Sequence, residues 1–449
     1  MNASKIIKHH RSIHVRSVNA IEPVITPQYI DRLLLNVHAQ YTQLKSVNPH
    51  YHGITIGMSS GVDSTLTAWL LCNSGIDSKL IGAYMNNWNI VDESNVCRQD
   101  IDSLNVERYC DELNIDYKYI DLSTQYWLNV FQHMITQYEV GNTPNPDVLC
   151  NREIKFNIFT DYVKHQFNTD IVATGHYARI QYNNNQSAGA QLFTSSDILK
   201  DQSYFLSAIN NIHSDVLSRV LMPLGCMRKT TVRAVAKYIN LKAAAQPDSM
   251  GVCFIGKRKK FSEFLSQYIN MKPGNIVDMH TNNIITQHNG VQQYTIGQRI
   301  KLSGHHSKLY VTHKSVDVGD VYVTHDSNNS ILYSDSVELS DINWLNTIPQ
   351  QLINTHQLRC EYKIRSNGAR YKCTLYYDES MNKYIVSFDI PQHCVAVGQY
   401  IVLYHKHQCT QSAIDDQLYT HTQPNDYIVI TSAVIQSKNS ISNQSINVQ

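Results

Sequence analysis

A chain of 449 residues with 42% hydrophobic content has room for two or three domains with cores of their own. Its apolar runs stop short of the ~20 residues that a membrane-spanning helix needs, so no membrane span is expected. A formal net charge of +1 gives no global pull on nucleic acid, and any such surface has to be a local patch.

Residues 1–21 hold Lys5, Lys8, Arg11 and Arg16 among serines, and no acidic residue precedes Glu22. That composition fits a transit peptide over residues 1–25 that directs the chain to the mitochondrial matrix; the plain alternative is a basic arm. Residues 54–56 are a β-branched apolar run, read as a buried strand, and Leu66, Trp69 and Leu70 share one face of the helix that follows. Between them Gly57, Met58, Ser59, Ser60, Gly61, Val62, Asp63 and Ser64 make a small, hydroxyl-rich turn. A strand running through Ser and Gly into a helix N-terminus offers N–H groups, hydroxyls and a dipole to one anion, although an ordinary strand-to-helix turn looks similar. Neither Gly-x-x-x-x-Gly-Lys nor Gly-x-Gly-x-x-Gly occurs, so the phosphate loops with those signatures are excluded.

Further strands are expected at 79–85, 117–120 and 170–174. They alternate with helices at 100–113, where Ile101, Leu104 and Tyr109 form an apolar stripe, and at 124–138. The alternation predicts an α/β fold, a doubly wound parallel sheet that binds ligands beyond the carboxyl ends of its strands. The opening turn, Met85 and Gly175-His176 fall on that edge. Helical spacing returns at 215–238, where Arg228, Lys229, Arg233 and Lys237 read as a solvated face, with contact to a phosphate backbone as the sharper alternative. The denser run Lys257-Arg258-Lys259-Lys260 suits RNA contact. Beyond residue 285, short alternating runs between Asn, Gly, Asp and Ser turns predict a separate antiparallel barrel or sandwich. Residues 406–425 read as a polar insertion, and the last dozen as a disordered tail.

The ten cysteines include no Cys-x-x-Cys pair, which argues against structural zinc and redox dithiols, and no metal-ligating set is assigned. Cys150 follows the proline-stiffened turn Thr143-Pro144-Asn145-Pro146-Asp147, at or just before a helix N-terminus, where the dipole favours a thiolate. Asp147 can serve there as a cap or as a proton-transfer group. Cys253 lies in an apolar strand bracketed by Gly251 and Gly256, and alone it would read as a core cysteine.

Together these stretches carry a resemblance. The turn at 57–64 resembles the PP-loop, Ser-Gly-Gly-x-Asp-Ser, of ATP pyrophosphatases. From about residue 54 to 300 the chain resembles the tRNA-specific 2-thiouridylases, and with its basic leader it looks like a mitochondrial member. The motif at 143–151, the motif around Cys253, and the runs 173–179, 200–206 and 294–299 carry the match. The resemblance implies a PP-loop ATP-binding catalytic domain over 26–212 and a small, mainly helical tRNA-binding linker domain over 213–285. A C-terminal antiparallel β-barrel would follow over 286–436, with a tail over 437–449.

The implied reaction is ATP-dependent transfer of sulfur to C2 of the wobble uridine of tRNA. ATP adenylates the C2 oxygen, turning a poor leaving group into a good one. Residues 57–64 would hold the pyrophosphate, Met85 and Gly175 would border the adenosine, and magnesium would neutralise the phosphates. Cys253 would take sulfur from a donor protein as a persulfide. Cys150 would complete its release, by a disulfide with Cys253 or by expelling sulfide, and Asp147 would act as general acid/base. Asn145, Pro146 and Asp147 would meet the target base, and His176, Lys200, Asp201, Gln202 and Gln399 the rest of the tRNA.

Three positions depart from the pattern. Ser60 replaces the second loop glycine, which means strain if φ is positive and one more phosphate donor if it is not. Arg365-Ser366-Asn367 stands where the family's barrel has an Arg-Tyr pair, and Ile430-Thr431-Ser432-Ala433 replaces a Gly-Gly-Gly run. The rival readings are another PP-loop enzyme, such as an ATP-dependent amidotransferase or a tRNA-lysidine synthetase, and an inactive tRNA-binding relative. A reporter fused to residues 1–25 is expected to enter mitochondria in cells, and a reporter that stays cytosolic overturns the leader assignment.

Overall fold

The computed structural model describes residues 24–88, 98–182, 189–211, 215–247, 261–302, 308–407 and 426–440. Cys253, the basic run 257–260, residues 1–23 of the leader and residues 408–425 of the polar insertion lie outside the described residues.

The first described element is the helix Pro27–Val47, started by Thr26, whose hydroxyl accepts from the Tyr29 N–H, and by a proline in the first turn, where its missing N–H costs nothing. It lays Leu33, Val37 and Leu44 on the core of a five-stranded parallel sheet. The strands are β1 (Ile54–Met58), β2 (Leu80–Asn86), β3 (Asp116–Asp121), β4 (Ile171–Thr174) and β7 (Val220–Leu221), in the order β3-β2-β1-β4-β7. Ile54 pairs with Leu80 on one side and with Ile171 on the other. The strand order therefore reverses at β1, and a crevice opens where β1 and β4 end. Ile54 and Ile56 are fully buried, each stabilising the sheet by roughly 1.5–3 kcal/mol, and helices on both faces explain why β1 is an unbroken apolar run.

The helix Val62–Asn73 is buried almost all round, so Leu66 and Leu70 are only part of its core-facing surface and Trp69 is partly exposed. In the helix Arg98–Leu113 the buried positions are Val106, Tyr109 and Cys110, whereas Ile101 and Leu104 are 49% and 52% exposed. The expected stripe thus holds at Tyr109 and fails at Ile101 and Leu104, because the sheet contacts the second half of the helix.

The strands after residue 273 form two sheets. The first is mixed, in the order β10-β11-β12-β8-β9, built from β8 (Gly274–Asp278), β9 (Ile284–His288), β10 (Arg299–Ile300), β11 (Leu309–Lys314) and β12 (Val321–Thr324). The second comprises β13 (Tyr333–Trp344), β14 (Gln357–Lys363), β15 (Tyr371–Asp378), β16 (Lys383–His393), β17 (Tyr400–Lys406) and β18 (Tyr427–Ser440). Pairing of β13 with both β16 and β18 closes these six antiparallel strands into a barrel. β18 runs on through Ser440, past the point where a disordered tail was expected. A hairpin from the first domain, β5 (Arg179–Tyr182) and β6 (Ala190–Phe193), adds to the barrel edge through Phe193 and Ile428. The seam is polar and buried: Arg179 pairs with Asp426, Lys363 Nζ lies 3.4 Å from Asp201, and Tyr204 Oη donates to Tyr400 O at 2.9 Å.

Candidate active site

The turn after β1 is held by its own hydroxyls. Ser64 Oγ donates to Ser59 O at 2.7 Å and accepts from Ser59 N at 3.0 Å. Gly61 is the N-cap with no side-chain bond, so the first turn of the helix keeps N–H groups for an outside acceptor. Ser60 has no positive φ and carries no strain, and its hydroxyl donates to Asp102 Oδ1 at 2.5 Å. The extra hydroxyl is therefore committed to the helix Arg98–Leu113 and is not spare for an anion.

Asp63 ties the turn to two distant residues. Its Oδ1 accepts from Tyr177 Oη at 2.7 Å and from Lys229 Nζ at 2.6 Å. Behind it Gly175 packs against bare backbone: a Cβ there would stand 2.8 Å from the Asp63 carbonyl carbon and 2.9 Å from Ser64 N. Gly57 faces the Met85 side chain, whose terminal methyl lies 3.3 Å from where a Gly57 Cβ would stand. The structure thus gathers Gly57 to Ser64, Met85 and Gly175 at one sheet edge.

Asn145 caps the next element, accepting from Val148 N at 3.4 Å, and Pro146 fills the first turn, so the helix begins at Pro146. Cys150 accordingly lies one turn inside rather than at the N-terminus, with its own N–H bonded to Asp147 O, and is 6% exposed. From Cys150 to Ile158 the helix widens into π turns, a geometry that recurs at functional sites. Burial raises the Asp147 pKa above the usual carboxylate value, and Lys155 pulls it partly back. His176 is bonded to Thr174 Oγ1 at 2.9 Å and faces Phe156 at 5.6 Å; burial first, and Lys155 second, hold its pKa well below the ordinary imidazole value. Asn151 donates to Asp147 O at 2.9 Å, while its buried Oδ1 has no partner among the described residues.

The barrel grips this element directly. Gln399 Nε2 donates to Thr143 O at 2.7 Å and lies 3.4 Å from Pro144 O, Thr143 N donates to Val397 O at 2.9 Å, and Arg152 reaches Asp341 at 3.1 Å. Gly398 has φ +89°, and a Cβ on it would stand 2.9 Å from the Asn142 Cβ. Gln399, expected on tRNA, is thus built onto the Pro-rich turn. Asp201 accepts from Ser195 N and Ser203 N, both at 3.1 Å, and Gln202 Oε1 accepts from Tyr177 N at 2.9 Å, so these two expected tRNA residues spend those groups inside the protein. Lys200 is partly exposed, and Arg365 donates to Cys394 O at 2.9 Å.

Three residues of the site carry no sequence signal of their own: Asp102, Lys155 and Gly398. Lys229 was placed on a solvated face, yet its side chain is only 14% exposed. Nothing in helical spacing separates an anchored lysine from a solvated one. Among the described residues no group of three metal-capable side chains occurs, and the carboxylates nearest the turn are Asp63 and Asp102. That set suits an ion held chiefly by phosphate oxygens, as magnesium is.

Comparison with known proteins gives three family profiles in succession. They are described as tRNA methyl transferase HUP domain over residues 52–257, tRNA methyl transferase PRC-barrel domain over 262–325, and aminomethyltransferase beta-barrel domain over 334–414. A tRNA-specific 2-thiouridylase MnmA of Mycoplasma capricolum is 37% identical over 377 residues, covering 81% of this chain and 98% of that protein. One from Limosilactobacillus reuteri is 36% identical, over 84% and 98%. The mitochondrial tRNA-specific 2-thiouridylase 1 of Drosophila melanogaster is 34% identical, over 80% and 92%.

A Gly175→Ala variant puts its methyl into the loop backbone. At about 1–3 kcal/mol for such overpacking, the KM for ATP is expected to rise about tenfold or more, measured as pyrophosphate release with tRNA in excess. An unchanged KM overturns the role given to this contact.

Proposed function

The chain belongs to the tRNA-specific 2-thiouridylase family and is a tRNA sulfurtransferase, and from that premise we propose that adenylation and sulfur transfer share the crevice at the ends of β1 and β4. The observation that carries this reading is geometric: His176, which follows Gly175 directly, faces Phe156 at 5.6 Å, and Phe156 lies on the same helical run as Cys150.

In the first stage the C2 oxygen of the wobble uridine attacks the α-phosphorus of ATP. An O–P bond forms, the bond to the bridging oxygen breaks, and pyrophosphate leaves with the electron pair. The uracil N3 proton passes to Asp147, whose raised pKa suits it to take a proton near neutrality and return it later. Magnesium bound with ATP would neutralise phosphate charge, held chiefly by phosphate oxygens with Asp102 as the nearby protein carboxylate.

In the second stage a persulfide on Cys253, loaded by a sulfur-donor protein, attacks C2 and AMP departs. Cys150 thiolate then attacks the Cys253 sulfur, a Cys150–Cys253 disulfide forms, and 2-thiouridine is left on the tRNA. A thiol reductant resets the pair. Burial at 6% exposure shields the Cys150 sulfur from competing oxidants until it is needed. The acid-free basic leader, with a mitochondrial protein among the relatives, supports work in the mitochondrial matrix.

Cys150→Ser and Cys253→Ser are each expected to abolish 2-thiouridine, read by mass spectrometry of the tRNA, while tRNA binding persists. Full thiolation by Cys253→Ser defeats the persulfide step. AMP and pyrophosphate without thiolation by the wild-type enzyme and its sulfur source would favour an amidotransferase or lysidine-synthetase type of product instead. Lys155→Met removes the charge that lowers the Asp147 pKa, so the limb of the rate–pH profile governed by Asp147 is expected to move to higher pH. A limb that stays put, or moves down, excludes Asp147 as its source.

A further inference from the structure

The phosphate turn lacks a lysine of its own, and the fold brings one from far away. Lys229 is the first residue of the helix Lys229–Tyr238, 166 positions beyond Asp63 in the chain. Its backbone N–H is fixed by Asp197 Oδ2 at 2.8 Å, and its Nζ lies 2.6 Å from Asp63 Oδ1 and 5.8 Å above the Tyr177 ring. Tyr177 is fully buried and donates to the same Asp63 oxygen, so the ammonium is held on a fixed platform. The position is electrostatically unfavourable for a lysine, because it is the positive end of its own helix. Burying the pair also costs solvation that the attraction only partly offsets. A cation kept there against both effects stands beside the N-terminus of the helix Val62–Asn73, where Gly61 leaves N–H groups open. An ammonium carries three N–H donors, so one side chain can serve a carboxylate and an anion together.

We propose that Lys229 is the phosphate-binding cation of this site. It contacts the pyrophosphate portion of ATP and stabilises the negative charge that builds on the departing pyrophosphate, with Asp63 and Tyr177 as positioning residues. The assignment deepens the adenylation reading above and rests on it for the catalytic half, whereas the binding half stands alone.

The test compares wild type, Lys229→Met, Lys229→Arg and the double variant Asp63→Asn/Lys229→Met. Direct binding of inorganic pyrophosphate and its inhibition of the ATP reaction are measured beside kcat, the KM for ATP, tRNA binding and melting temperature. In Lys229→Met, kcat with ATP is expected to fall about 100-fold or more, as when one preorganised donor to developing charge is removed, and pyrophosphate affinity to fall with it while tRNA binding holds. Lys229→Arg should recover part of both. The double variant removes both charges and leaves neither unpaired, so it tests the structural alternative even if Lys229→Met is too unstable to assay. Recovery of pyrophosphate binding and rate in the double variant overturns the proposal, as does wild-type pyrophosphate affinity in Lys229→Met. If wild type releases no pyrophosphate from ATP with tRNA, the adenylation reading falls instead, and the direct binding comparison still decides whether Lys229 holds phosphate.

Discussion

Gly175, directly after β4, abuts the first turn of the helix Val62–Asn73, with the Asp63 carbonyl carbon 2.8 Å from where any Cβ would be. So close an approach of two backbones fixes their relative position without side-chain freedom, and other parts of the site take their places from it. His176 follows at once and is turned toward Phe156, on the helix that carries Cys150. Tyr177 comes next and reaches back under Asp63. Register on the other side, with Met58 opposite Tyr84, brings Met85 over Gly57. One steric constraint thus sets the width of the crevice, and the parallel pairing of β1 with both neighbours keeps it from shearing.

Charge inside that crevice is arranged in opposition. Asp63, in the first turn of its helix, is favoured by the dipole it faces, whereas Lys229 opens its own helix from the wrong end. Asp197 relieves the second conflict by capping the helix backbone, and its other oxygen accepts from Leu199 N at 2.9 Å and Lys200 N at 3.2 Å. The turn that presents Lys200 and the helix that presents Lys229 therefore share a single carboxylate. Local rules that a stable helix would obey are broken here, which is where functional sites commonly break them.

The parallel sheet and its ligand edge were legible because buried strands and amphipathic helices write different periods into a sequence, and Ile54-Thr55-Ile56 before a Ser/Gly turn is a plain instance. The helix start before Cys150 was legible through Pro144 and Pro146, although Asn145 places it a turn earlier than expected. The tertiary use of polar side chains was not. Asp201 and Gln202 sit in a recognisable motif, but periodicity carries no sign that their carboxylate and amide point inward to Ser195, Ser203 and Tyr177. The same blindness put Lys229 in solvent and Ile101 and Leu104 in the core. Alternation also reports that a stretch is a strand without naming its partner. The strands after residue 273 could therefore be foreseen as an antiparallel barrel or sandwich, but not the mixed sheet that precedes the barrel, nor the recruitment of β5 and β6 to it.

The grip of Val397 and Gln399 on Thr143 and Pro144 has a bearing on where this chain can be divided. Its last third is the part least like its motif-rich beginning, and a designer seeking a minimal enzyme would trim there first. Removing the barrel strips the Thr143 N–H and two carbonyls of their partners, exposes the socket that Gly398 fills, and unpairs Arg179, which is 2% exposed, from Asp426. Divergent sequence is therefore a poor guide to dispensability here. The barrel is the second jaw of a vice whose first jaw is the parallel sheet, and the catalytic turn is the workpiece held between them.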